Sequence, residues 1–355
     1  MDQTLEKKDD DTYSHMYNLQ PRSLQDCFDM FAEIPKCVDD KIALQRITKE
    51  ALEDFAKHNV AYLELRSTPK ILKHMTKTSY IETILDTLKD FEALEEKRYH
   101  SEMMENAKNN NNTLVKLPMK CRFLVSIDRG ASVQEAEESV ALAIDFFQKP
   151  DSYIVGVDIG GNPTKNDFRD FQPAVTKARN AGLKVTVHCA EVPVGESDQE
   201  EDPKLLKSFQ EVKAVFQFRP DRIGHALLLP PSLRDILTNQ LRIPVESCPT
   251  SNVMTLELAK HMGGSLVHGL QQHPQLKHWL ESDFPISIGT DDPGVFDTNA
   301  TKEILLLAHA WQVLPRQLQR IVLGSLDHAF CHEELKDSIR QRMLETFDKI
   351  TKPEA

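Results

Sequence analysis

The sequence predicts an α/β fold of the closed TIM (β/α)8 type, and three observations carry that prediction. Short runs rich in Val, Ile and Leu alternate with segments of helical periodicity, the order of parallel strands joined by right-handed crossovers. Polar and reactive residues stand just past the C-terminal ends of these runs: Arg66 and Ser67, Asp128 and Arg129, Gly160 to Asn162, His188 to Glu191, His225, Thr250 to Asn252, and Asp291 with Asp292. A barrel gathers all its strand ends around one mouth, whereas an open doubly wound sheet concentrates them at one switch point. Finally, no G-x-G-x-x-G or G-x-x-x-x-G-K-S/T phosphate loop follows any run.

Taken in order, Leu44, Ile47, Leu52 and Phe55 mark a helix before the first strand, VAYLELRS at 60–67. Tyr80, Ile84, Leu85 and Leu88 mark the helix after it. Residues 95–117, EEKRYHSEMMENAKNNNNTLVKL, are polar and Asn-rich and are expected as a mobile surface insertion. The strand CRFLVSID at 121–128 follows, then a helix carried by Val140, Ala141, Ile144 and Phe147. Five further strands read YIVGVDI (153–159), LKVTVHC (183–189), DRIGHAL (221–227), RIPVESC (242–248) and FPISIGT (284–290). Most are near-continuously apolar, as parallel strands covered on both faces are. Residues 300–350 read as extra C-terminal helices, with Leu305, Leu306, Ala308, Leu318, Ile321 and Val322 on their apolar sides. Seven strands are recognisable where a closed barrel has eight. The expectation is therefore one barrel domain over 24–350 lacking its first strand, with a polar segment at 1–23 in that strand's place.

Composition narrows the partners. A net charge of −12 argues against a nucleic-acid surface, which selects Lys and Arg. No apolar stretch approaches the ~20 residues of a membrane span. The opening MDQTLEKKDDD is acidic and polar, unlike a signal or transit peptide, so a cytoplasmic location is expected. Six scattered cysteines without a C-x-x-C pair read as reduced thiols. Their spacing also excludes the cytidine-type zinc deaminases, which need P-C-x-x-C.

The reactive residues each have an ordinary structural reading. A strand-end His188 or His225 is more often a hydrogen-bonded structural residue. Glu191 alone is a surface carboxylate, and Asp291-Asp292 before Pro293 could cap a helix. Jointly the set is hard to explain that way, because all fall at ends of successive strands. Their types suit one reaction. A divalent metal held by His and Asp generates hydroxide at neutral pH. A His meets the attacking water, a carboxylic acid protonates a ring nitrogen and a second Asp holds the substrate.

At this point the chain resembles the adenosine deaminase family, a metal-dependent barrel of the amidohydrolase superfamily. The resemblance covers roughly residues 24–345. It rests on YLELRSTP (62–69), VGVDIGGNPT (155–164), VHCAE (187–191), DRIGHA (221–226), PTSN (249–252) and GTDDPGVF (289–296) in combination. YLELRSTP points to the branch that converts N6-methyl-AMP to IMP and methylamine; the alternative is adenosine to inosine. The resemblance implies one Zn2+ per subunit, with His188 and Asp291 as ligands. It makes Glu191 the proton donor to purine N1, and His225 the residue that positions and deprotonates the zinc water. Asp292 would hydrogen-bond the purine at N7, and the Gly161 backbone N–H would meet N3. Ser67, Thr68, Pro69 and Lys70 would meet the ribose-phosphate end, with Asp128 also lining the pocket. Lys70 beside two hydroxyls suits a phosphate, although it also reads as a solvated loop lysine. The expected partner is a small purine nucleotide, with no nucleic acid or membrane, bound by a monomer.

Two departures stand out. The loop reads GGNP where the family commonly has Asp in place of Asn162. More seriously, the family's first strand ends in His-x-His, two further metal ligands, and this chain has no such pair. His15 and His58 have neither the spacing nor the preceding apolar run to replace it. Catalytic zinc sites normally use three protein ligands, so a chain with two is expected to be weak or inactive. The favoured reading is a splice form or gene model of a real deaminase without its first coding segment. A purine-nucleotide binder that has lost catalysis, and a metallohydrolase recruiting another ligand, are the alternatives.

Overall fold

The computed structural model describes residues 22–109 and 114–351. The expected polar segment 1–23 falls almost wholly outside the described residues, as does His15. Seven strands follow one another in space as in sequence: β1 (Tyr62–Ser67), β2 (Lys120–Asp128), β3 (Ile154–Gly160), β4 (Lys184–Cys189), β5 (Arg222–His225), β6 (Val245–Ser247) and β7 (Ile286–Ile288). Every neighbouring pair is parallel. This is the expected TIM-type architecture with all seven expected strands present.

Helices cover the outer face. Those used below are α1 (Leu24–Cys37), α2 (Lys41–Lys57), α3 (Lys77–Lys108), α4 (Val133–Phe147), α5 (Phe168–Asn180) and α6 (Pro203–Phe218). After β5 come α7 (Pro231–Ile236), α8 (Pro249–Thr255), α9 (Leu266–Gln271) and α10 (Leu276–Glu281). The chain ends in α11 (Pro293–Phe296), α12 (Ala300–Trp311), α13 (Pro315–Asp327) and α14 (Glu333–Thr351). Capping boxes start several of them: Ser132 with Glu135 opens α4, and Asp167 with Asp170 opens α5, each satisfying amides that a helix start leaves free. Between helices and sheet lies one continuous apolar core that includes Phe123, Ile127, Val157, Val185, Val187, Ile223 and Val245, all essentially solvent-free. Each such side chain contributes roughly 1.5–3 kcal/mol by leaving water.

The inner face differs from the near-continuous apolar expectation. Alternate residues along the strands project into the barrel, and here they are charged or hydroxylic. Arg222 of β5 bonds Glu64 of β1 and, at 2.6 Å, Glu246 of β6. Thr186 donates to Glu246, and Ser126 donates to Asp158. Arg66 of β1 reaches Glu246 at 3.4 Å and Asp158 at 3.9 Å. Pairs bridging β1 to β3, β5 and β6 show how far the sheet curls around its interior. The Phe330 amide donates to Glu64, while its ring lies 3.5 Å from the Arg222 guanidinium and closes the interior near the strands' N-terminal ends.

Among the described residues no strand precedes β1, so β1 and β7 are the sheet edges. A groove of about 380 Å³ runs between them, lined by Tyr62, Ile288, Ile304 and Val322 among others. His58 sits there, bonded to Thr301 at 3.0 Å, and does not line the cavity that holds His188 and His225.

One expectation is corrected. The polar stretch 95–117 is not a separate insertion throughout, because α3 continues through Lys108. Glu95 is buried and paired with Arg98 and Lys116, which holds this end of the helix against the start of β2. No helix among the described residues is long and apolar enough to cross a membrane.

Candidate active site

The site is assembled from strand ends held in costly backbone conformations. Ala190 after β4, His225 at the end of β5 and Asp291 after β7 all have positive φ, at 57°, 60° and 55°. A non-glycine residue there costs of order 1–3 kcal/mol and persists only where the surroundings impose it.

His188 is buried, and its Nδ1 makes both hydrogen bonds of the ring: to Asp158 Oδ1 at 3.0 Å and to the Ile159 carbonyl at 2.9 Å. That leaves Nε2 for a ligand. Gly160 makes room for the ring, since a Cβ there would stand 3.1 Å from His188 Cε1. Burial works against the Asp158 charge, yet His188 and Arg66 outweigh it and hold the carboxyl well below the usual range. The same pairing lifts the His188 ring above its ordinary value against its own burial.

His225 lies beside it, with ring centroids 5.3 Å apart. Its Nδ1 is 3.0 Å from Asn252 Nδ2, and its Nε2 is 3.6 Å from Glu191 and 3.8 Å from Asp291. Asp291 accepts from Ser251 at 2.7 Å and faces Arg66 at 3.4 Å. Burial opposes the Asp291 charge, but His225 and Arg66 win and lower its carboxyl. Asp292 stands at the N-cap position of α11, yet its side chain makes no capping bond. The protein packed around it, then the Asp291 carboxylate, push its carboxyl upward. It is also reached by solvent, which offsets part of that push.

All five residues line one cavity of about 690 Å³, within the range of small-molecule sites. Ser67, Thr68, Lys70, Asp128, Gly161 and Asn162 line it too. Pro69 is buried and is not among the lining residues. Ser67 shares a 2.8 Å bond with Tyr80, and Asn162 accepts from the Thr164 amide and hydroxyl. Gly161 has φ +85°, and a Cβ there would lie 2.4 Å from Asp128 Oδ1, so a larger residue would be strained and would displace Asp128. One wall is apolar: Leu24, Phe28 and Phe31 of α1 face the cavity, while Cys27 and Met30 pack on Met254, Val295 and Phe296.

Sequence reasoning left several site residues unassigned. Asp158 sits inside an apolar strand run, Ser251 and Asn252 stood in the strand-end set and in PTSN without a role, and His273 belongs to no motif. Cys248 is also close, its sulfur lying with an atom of His225 and of Asp291 inside a 4.8 Å cluster.

Comparisons with known proteins agree with this geometry. The adenosine deaminase family model matches residues 2–346. An adenosine deaminase-like protein of Drosophila pseudoobscura pseudoobscura is 35% identical over 313 residues, covering 88% of this chain and 78% of that protein. The N6-mAMP deaminase of Arabidopsis thaliana is 32% identical over 328 residues, covering 92% of this chain and 84% of that protein. The crystal structure of Arabidopsis ADAL complexed with IMP shares 29% identity and a TM-score of 0.76, covering 96% of this chain and 87% of the other. With a family model across nearly its whole length, a relative above 30% identity and strand-end residues converging on one cavity, the chain belongs to the adenosine deaminase family of hydrolytic deaminases.

Proposed function

We propose that the chain is a cytoplasmic, monomeric purine-nucleotide deaminase whose substrate is N6-methyl-AMP, hydrolysed to IMP and methylamine. The observation that carries this reading is the convergence of His188, Glu191, His225, Asp291 and Asp292 on one cavity that also holds Ser67, Thr68 and Lys70. The reacting groups and a phosphate-compatible cation thus share one chamber. A relative named N6-mAMP deaminase and a structural neighbour holding IMP support the same substrate class.

In this reading Lys70, Ser67 and Thr68 bind the ribose-phosphate end. The Gly161 amide meets purine N3. Purine N7 is an acceptor only, so Asp292 must meet it as the donor, through a protonated carboxyl. Glu191 gives its proton to N1, water adds at C6, Glu191 carries one water proton to the departing methylamine, and the second water proton returns to Glu191 as the C6 carbonyl forms. His225 positions that water.

The cofactor in this reading is Zn2+, one per subunit. The donors fit it in kind: the His188 Nδ1 bonds to Asp158 and Ile159 are the outer partners that ligating histidines use, and Asp291 is a carboxylate. When bound, the metal supplies hydroxide at neutral pH. The fit falls short in number, because a catalytic zinc normally takes three protein ligands and the resemblance assigns two in this chain, His188 and Asp291. The chain is therefore expected to hold zinc weakly and turn over slowly. Elemental analysis of the purified protein, alongside IMP release from N6-methyl-AMP with and without added zinc, tests this. Substoichiometric zinc with zinc-stimulated turnover is the expected result; full zinc occupancy with rapid turnover would remove the claim of impairment.

A further inference from the structure

His225 is tied to a chain of hydrogen bonds whose direction is set at its far end. His273 is buried in the loop between α9 and α10, and its Nδ1 faces two backbone amides, Gln275 N at 3.1 Å and Leu276 N at 3.0 Å. Amide nitrogens only donate, so Nδ1 accepts from both and cannot carry a hydrogen. The hydrogen of the neutral ring is therefore on Nε2, which lies 3.2 Å from Asn252 Oδ1. Burial lowers His273 to about 3, so the ring is neutral at physiological pH. The loop is pinned as well: Gln275 Nε2 donates to the carbonyls of Leu227 and Leu229, just beyond His225.

The direction passes on. With Oδ1 of Asn252 accepting from His273, its Nδ2 must face His225, and it does, 3.0 Å from Nδ1. Turning the amide over would set its NH2 against the Nε2–H of His273, two donors facing each other inside a fully buried group. Nδ1 of His225 therefore accepts, and the hydrogen of that ring sits on Nε2, the nitrogen facing Glu191 and Asp291.

We infer that His273, acting through Asn252, fixes His225 as the tautomer carrying its hydrogen on Nε2, so that His225 orients the attacking water as a hydrogen-bond donor and not as the general base. A nitrogen that already bears hydrogen has no lone pair for a proton. For the same reason it has none for a metal, so His225 does not complete the cluster with Cys248 and Asp291. Proton traffic falls to Glu191, 3.6 Å away. His273 and Asn252 are positioning residues.

The tautomer itself is measurable without activity. Nitrogen-15 NMR of the full chain labelled at histidine, with the His225 signals assigned by their loss in His225→Gln, distinguishes protonated from unprotonated ring nitrogens. The expected spectrum shows His225 protonated at Nε2; protonation at Nδ1 overturns the inference. Asn252→Asp then presents acceptors to both rings at nearly unchanged shape. It should move the His225 hydrogen to Nδ1 and lower kcat by roughly 100-fold, the scale of losing one oriented donor at a reacting centre, with KM little changed. Unchanged kcat with a switched tautomer would refute the donor role. His273→Gln keeps a donor toward Asn252 and should keep the tautomer, whereas His273→Leu should lose it. The kinetic arm rests on the deaminase reading; the spectrum does not, so failure of one is distinguishable from failure of the other, and the unsubstituted chain alone decides the tautomer if a variant does not fold.

Discussion

A methyl group at position 161 would lie 2.4 Å from Asp128 Oδ1 on a left-handed backbone of φ +85°, so Asp128 must move to admit it. Gly161→Ala is expected to cost about 1–3 kcal/mol, read as a lower urea midpoint with unchanged slope; an unchanged midpoint would show that the loop yields freely. His273 sets a pH dependence. Burial, then His225, depresses its folded value from 6.5 to about 3. A depressed value means stability fully present above pH 6.5 and lost as pH falls toward 3. At about 1.4 kcal/mol per unit, this ring alone removes about 2 kcal/mol between pH 7 and 5. Urea titrations at both pH values should show a smaller difference in His273→Gln than in the unsubstituted chain. Legibility at this scale follows the strand-end rule. His188, Glu191, His225, Asp291 and Asp292 were readable because they stand just past apolar runs. Asp158 was not, since a carboxylate inside a buried strand acquires meaning only from the His188 ring opposite. His273 reaches the site by tertiary packing alone, and nothing in its neighbours' spacing announces it.

The strands were all legible as elements, and the character of their inner face was not. Apolar runs suggested strands covered by grease on both sides, yet Glu64, Arg66, Asp158, Thr186, Arg222 and Glu246 form a polar interior. The signal was present as charges at alternate positions, as in Glu64 and Arg66 of β1. Removing one partner of such a buried set leaves uncompensated charge. Arg222→Met, which strands Glu64 and Glu246, is therefore expected to cost about 3–5 kcal/mol, measurable by chemical denaturation; a cost below about 1 kcal/mol would mean water already reaches the network. The long helix α3 shows the opposite failure. Residues 95–108 lack an apolar stripe because much of that stretch is held by ion pairs at Glu95 and Lys120, so periodicity had little to find.

At the scale of the molecule, the described strands form a curled sheet with two edges. Edge strands have one row of amides unpaired, and local opening is easiest where such bonds are fewest. Hydrogen-exchange mass spectrometry should show Tyr62–Ser67 and Ile286–Ile288 exchanging before Ile154–Gly160 and Lys184–Cys189. Equal protection of all four would mean the edges are covered in solution. The described strands number seven, and His188, Glu191, His225, Asp291 and Asp292 line one cavity at their C-terminal ends. The central claim is that this cavity recognises a purine nucleotide and hydrolyses it at the 6-position. Its most direct test is a competition assay with zinc added, holding N6-methyl-AMP and adenosine at equal concentration and quantifying IMP and inosine. IMP forming faster is the predicted result; inosine forming faster, or neither product above the uncatalysed rate, would contradict the account.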